Sequence, residues 1–215
     1  MAWNFSIEIH ALSGFDADTS SAVNGIATGE TFRVHAAQWL TDGAREIINV
    51  LPEGLKEKCM TETTLSNSPS TLDLDAPADA LIIGEILHVT RLSADSGGVR
   101  VPCRKIPSSH GELSGDSSNI MYYATVTDPV YWLTASGDAT ILNVNPTPTA
   151  NQTAIVFHVA YPVVAYNAAT ITNFPNEAIH LVPLYAAIKA TEYMMLSEED
   201  QEVYAPQLGT LKQDY

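Results

Sequence analysis

Apolar residues recur every three or four positions in one stretch of this chain, every second position in the next, and every three or four again near the end. No single regular element satisfies both periods, so the chain must build helix, then sheet, then helix. From Phe32 the apolar positions run Phe32, Ala36, Leu40, Ala44, Ile47, Ile48 and Leu51, and Pro52 follows where the pattern stops. That spacing predicts an amphipathic helix of about 20 residues, near 30 Å long. Arg33, Gln38, Asp42, Arg45 and Glu46 take its opposite face. Gly43 inside it costs about 1 kcal/mol against alanine, which points to close packing or a bend. A short helical turn is expected over 52–58, because proline suits a first helical position.

Between Cys59 and Ala165 the runs alternate or are rich in β-branched residues: 86–92, 99–106, 120–127, 130–134, 139–144 and 154–165. Turn clusters at 93–98 and 135–138 make two hairpins of four of these runs, and Asn145-Pro-Thr-Pro148 ends the second. This predicts an antiparallel β module of about six strands, with 107–119 a polar, mobile loop. After Asn173 the helical period returns through Ile179, Val182, Tyr185, Ala186, Ile188 and Met195. A helix opening near Pro175 would carry Pro183 in its interior as a kink, unless it starts later. Ser197–Asp200 looks like the cap of a further short helix ended by Pro206. Residues 1–30 contain short alternating or small-residue segments broken by Gly14, Gly25 and Gly29, and read as an extended arm or edge strand followed by loop.

The expectation is therefore a single α+β domain over 1–215, with two long helices flanking the β module. Its parts are an arm (1–30), a first helix region (31–58), the β module (59–172), a C-terminal helix region (173–205) and a tail (206–215). At this length roughly 70% of the chain's surface should be buried.

Composition bears on partners. The chain has 215 residues with 25 acidic and 10 basic ones, a formal charge of −15, yet only 16% are charged and 46% are hydrophobic. The skew comes from missing bases, which argues against gripping a phosphate backbone or an anionic membrane surface. No stretch approaches the 18 or so apolar residues of a membrane span, and the opening MAWNFSIEIHAL has no basic n-region or apolar h-region, so neither a membrane span nor a signal peptide is expected.

Four of the ten bases, Arg91, Arg100, Arg104 and Lys105, fall within fifteen positions. On one continuous strand Arg100 and Arg104 would share a face, making a small positive strip. With acid in excess elsewhere, pairing with acids of a neighbouring element or subunit is preferred to nucleic-acid binding.

Candidate chemistry is sparse. The stretch His110–Asn119 contains Ser, His and Asp but no G-x-S-x-G, and reads as a surface loop. The histidines 10, 35, 88, 110, 158 and 180 include no i, i+4 pair and no H-E-x-x-H. Asp16-Ala-Asp18 and Asp73-Leu-Asp75 lack the glycine and terminal glutamate of a calcium loop. Cys59 and Cys103 read as buried apolar side chains. No catalytic residue, metal or cofactor is expected, and the aromatic run Met121-Tyr122-Tyr123 with Tyr131-Trp132 is expected to pack across strands.

Three segments carry a resemblance: His35–Pro52, then Arg91-Leu-Ser-Ala-Asp-Ser-Gly-Gly98 with Cys103-Arg-Lys, then Asn173–Lys189. Together, over roughly 35–195, they resemble small structural proteins of tailed-phage virions. The helix, β module, helix order resembles the head-to-tail adaptors, or connectors, that form a ring beneath the portal.

That resemblance implies a non-enzymatic, self-assembling subunit of a virion assembled in the host cytoplasm. It implies a homo-oligomeric ring like the twelvefold adaptor rings, with the portal protein and tail or nozzle proteins as partners. Genomic DNA would pass through without sequence-specific binding, and no membrane is involved. Trp39, Leu40, Ile47, Ile48, Ile179, Val182, Tyr185 and Ile188 would form the core of the helix pair, and exposed Arg91, Arg100, Arg104 and Lys105 would meet acids on a neighbour. The alternatives are another virion role, such as a tail-tube, neck or tail-completion protein, or a carbohydrate-binding or hydrolytic β module using Tyr122, Trp132 and the 107–119 loop.

Overall fold

The computed structural model describes residues 4–14, 29–74, 82–93, 98–137, 139–197 and 201–215. The loop expected at 15–28, Asp75, the first hairpin's tip at 94–97, Asp138 and the cap residues 198–200 lie outside them. The fold is α+β and groups into two compact units, Met1–Cys59 with Tyr161–Tyr215, and Met60–Ala160.

The first unit is helical. Its opening segment is helix α1 (Phe5–Ser13), which corrects the extended arm. Phe5, Ile7 and Ile9 alternate as in a strand, but Phe5 and Ile9 are also one helical turn apart, and these two are fully buried. The ends are specified locally: the Asn4 Oδ1 accepts from the Ile7 N–H at 2.9 Å, and Gly14, at φ 71°, donates to the His10 carbonyl.

Helix α2 (Gly29–Val50) covers the predicted span, with Phe32, Ala36, Leu40, Ala44, Ile47 and Ile48 buried. The expected turn after Pro52 is α3 (Glu53–Lys56), followed by a single 3-10 turn over Glu57–Cys59.

Helix α4 (Leu181–Ser197) begins later than Pro175. Residues 175–182 make separate turns instead, such as Ala178 N–H to the Pro175 carbonyl at 3.1 Å. Pro183 is thus the third residue of the helix, in the first turn whose N–H groups lack intrahelical acceptors, and causes no interior kink. Helix α5 (Gln201–Asp214) runs through Pro206 rather than ending there. Its docking overrides the local cost: Leu211 is buried with Leu184, Ala187 and Ile188, while Leu12, Leu181 and Leu208 pack around them. The Gln207 Nε2 also donates to the Leu12 carbonyl at 2.8 Å.

Helices α1, α2 and α5 all pack on α4. This explains why α4 is apolar nearly all round, with Val182, Leu184, Ala186, Ala187, Ile188, Ala190 and Met194 buried. Close approach of α2 and α4 sets Gly43: a Cβ there would lie 2.8 Å from the Tyr185 ring.

Among the described residues the second unit has eight strands in two four-stranded sheets, where about six strands were expected. One sheet is ordered β1 (Met60–Leu65), β8 (Ala154–Tyr161), β3 (Ile82–Ser93), β4 (Val99–Pro102). The other is ordered β2 (Leu72–Asp73), β7 (Ala139–Asn145), β6 (Val130–Ser136), β5 (Arg104–Lys105). The pairs β1·β8, β3·β4, β2·β7 and β6·β7 are antiparallel. The short β5 pairs with β6 in parallel, so the module is not purely antiparallel.

One core joins the two sheets: Leu65, Val89, Ala154 and Val156 from the first meet Tyr131, Leu142 and Val144 from the second, with Leu74 beside β2. Residues 120–127, expected as a strand, form turns instead. Beside the core, the buried His158 holds Thr63 through Nε2 at 2.9 Å across the β1·β8 pair.

Candidate assembly surface

The four clustered bases do not form one strip. The chain crosses between sheets at Cys103, so Arg100 on β4 and Arg104 with Lys105 on β5 belong to different sheets. Arg91, expected to be exposed, is 2% exposed. Its Nε donates to the Pro146 carbonyl at 2.8 Å, and its Nη2 donates to the Gln152 Oε1 at 2.9 Å and to the Thr147 carbonyl at 3.4 Å. It therefore clamps the 146–152 loop from inside. A buried cation needs such a set of acceptors, and none of the three is a carboxylate.

Burial shifts the neighbouring groups. It pulls the Arg91 guanidinium below its ordinary range. It pushes the Cys103 thiol up to about 12, with the nearby Arg91 charge opposing, and raises the Tyr131 phenol. A thiol raised this far holds little thiolate at neutral pH.

The remaining three bases are exposed. Arg100 reaches the Thr153 hydroxyl at 3.2 Å. Arg104 pairs with Asp128 at 3.1 Å, the neighbouring-element partner that the sequence allowed. Lys105 has no ion pair among the described residues.

Arg104 also donates to the Met121 carbonyl at 3.3 Å, and so braces a second feature that the sequence reading missed. The segment expected as a mobile polar loop is built of 3-10 turns over Ser108–His110 and Glu112–Gly115. Its hydrogen bonds fix it to the sheet: the Asn145 Nδ2 donates to the Ser114 Oγ at 2.8 Å, which donates to the Gly111 carbonyl at 2.6 Å. Trp132 lies against Gly111, where a Cβ would sit 2.5 Å from the indole Nε1. The His110 ring stacks on Tyr122 at 4.2 Å.

On this base stands a tight turn, in which the Tyr123 N–H donates to the Asn119 carbonyl at 2.9 Å and the Tyr122 N–H to the Asn119 Oδ1 at 3.2 Å. Of its three central side chains, two face water: Ile120 is 98% exposed and Met121 70%. Single exposed apolar residues are ordinary, but two adjacent ones at the tip of a pinned turn form an apolar knob.

The helical unit carries the opposite shape. An open apolar groove of about 250 Å³ is lined by Ile47, Val50, Leu51, Pro52, Ala178 and Leu181, with Glu46 and Tyr215 as its polar members. It is smaller than the roughly 300 Å³ at which small-molecule pockets begin and is of side-chain size. Val50 is 80% exposed there although its neighbours Ile47 and Ile48 are buried.

The residues expected to hold the helix pair divide as follows. Leu40, Ile47, Ile48, Val182 and Ile188 are buried. Tyr185 is half-buried over Gly43, its hydroxyl hydrogen-bonded to Glu46; burial and then the Glu46 charge raise its phenol. Trp39 is half-buried in a ring cluster, 5.7 Å from Phe32, 5.9 Å from His35 and 5.8 Å from Tyr193. Ile179 is half-buried and lies in the turns before α4.

Among the described residues no three of His, Cys, Asp and Glu gather as a metal site would require, and no helix is long and apolar enough to cross a membrane. No protein-family model matches the chain, and no curated protein is significantly similar to it.

Proposed function

We propose that this protein is a non-enzymatic structural component of a tailed-phage virion, the head-to-tail adaptor that forms a ring between portal and tail around the DNA channel. The observation that carries this reading is the chain order. Two long helices far apart in sequence pack on each other in one unit, while the β module between them folds as a second unit with its own core. That is the plan the sequence resemblance implies for a ring subunit.

Charge supports a conduit rather than a grip. The helical unit holds 15 acidic and 6 basic residues, and the sheet unit 10 and 4. A wall of such a composition lets DNA slide, because no ordered set of cations neutralises phosphates as it passes. Reversing channel-facing acids to lysine should slow genome ejection.

The carbohydrate reading is disfavoured by the rings it would need. Tyr122 is stacked on His110, and Trp132 lies against Gly111. A different neck or tail position remains the second reading, favoured only by the shared acidity and sheet content. Mass photometry and negative-stain microscopy of the purified chain mixed with its portal decide between assembly and none. Rings seated on the portal are expected; a chain that stays monomeric and ignores the portal overturns the proposal.

A further inference from the structure

We infer that α5 is a strap: it leaves α4 and unfolds as one unit while α1, α2 and α4 stay packed, and so bares an apolar strip that runs into the groove beside Val50. The inference goes beyond the ring reading and does not depend on it.

Three observations carry it. The first is that α5 is a poor helix by itself. Pro206 supplies no N–H to its interior, Gly209 adds backbone freedom, and the Thr210 hydroxyl donates back to the Pro206 carbonyl at 3.2 Å. A helix of 14 residues is marginal in water even when rich in alanine, so α5 off its docking site is unfolded.

The second is that its docking is thin. Of residues 204–214 seven are exposed and Leu211 alone is buried, whereas α2 buries Phe32, Ala36, Leu40, Ala44, Ile47 and Ile48. Beyond Leu211 and the half-buried Leu208, the ties are polar and near water. The Gln207 Nε2 donates to the Leu12 carbonyl at 2.8 Å, and Lys212 pairs with Glu192 at 2.9 Å with the two side chains 53% and 33% exposed. Few buried apolar contacts and solvent-exposed polar ones are what mark a segment that opens locally.

The third is what α5 covers. Leu208 and Leu211 lie on Leu184, Ala187 and Ile188, with Leu181 and Leu12 beside them. Leu181 also lines the groove, and so does Tyr215, which follows α5. Strip and groove are therefore one apolar surface that α5 interrupts, and opening the strap lengthens the groove along α4.

Hydrogen exchange of the full chain, read residue by residue by NMR, tests this. The amides of 207–214 should exchange through one common opening, with protection at least about tenfold below that of the buried positions of α2. Ile48→Val removes one methyl group from α2, and should lower α2 protection several-fold while leaving that of α5 unchanged, because the strap opens without α2. Leu211→Ala should lower α5 protection by a further tenfold or more, in a chain whose other helices still form.

Protection of α5 equal to that of α2 overturns the strap. So does protection that declines steadily towards Tyr215, which is end fraying, or an α5 whose protection falls together with that of α2 in Ile48→Val. A Leu211→Ala chain that loses α1, α2 and α4 as well overturns it too, because α5 would then be part of one cooperative unit.

Discussion

Arg91 marks the limit of reading charge from sequence. Four bases within fifteen residues suggest one surface, yet the fold spends the first on four uncharged acceptors inside the sheet unit and puts the others on two sheets. Arg91→Met should therefore destabilise the isolated chain by about 2–5 kcal/mol, because buried acceptors at Pro146 and Gln152 lose their donor. Arg100→Ala and Arg104→Ala, at exposed sites, should cost less than about 1 kcal/mol. Urea unfolding of the three variants checks this ordering; equal midpoints would contradict the clamp.

His158 gives a pH dependence. Burial holds its imidazole below the ordinary value of 6.5, partly offset by a backbone hydrogen bond at Val159. The folded state thus prefers the neutral ring, and this contribution is present above pH 6.5 and lost as pH falls below it. The unfolding midpoint should drop between pH 7.5 and 5, and the drop should shrink in His158→Gln. Gly43 was legible as a site of close packing or bending, but its partner was not, since nothing local to α2 names Tyr185. Gly43→Ala should cost about 1–3 kcal/mol by overpacking against that ring, despite the better helix propensity of alanine.

Elements were legible where one period ran long. Helix α2 satisfied the 3.6-residue pattern over five turns, and its buried face is the one the spacing named. Short elements were not. Phe5-Ser-Ile-Glu-Ile fits both periods, and only docking on α4 decides for helix, although Asn4 and Gly14 were visible caps. Met121-Tyr-Tyr-Ala-Thr-Val has strand composition but turns, because the Asn119 clamp and the Arg104 brace hold it. The two-residue strands β2 and β5 carry no period at all. For α5, local propensity makes Pro206 a stop, whereas burial of Leu211 against α4 keeps the helix going. Pro206→Ala, on an exposed face, should restore a backbone donor and raise stability by up to about 3 kcal/mol. A lower melting temperature would mean that the proline fits a bend the helix requires.

At the scale of the whole molecule, the sequence supplied the order of helix, sheet and helix, and the acid excess. It did not supply the knob or the groove, because each is a property of exposure: Ile120 and Val50 look like interior residues until the fold leaves them outside. The most direct measurement is a reconstruction of the particle at a resolution that resolves helices. A ring of copies between portal and tail is expected, each fitted by the four packed helices and the two-sheet unit. Density for this chain in the tail tube or a fibre, or its absence from the particle, would contradict it.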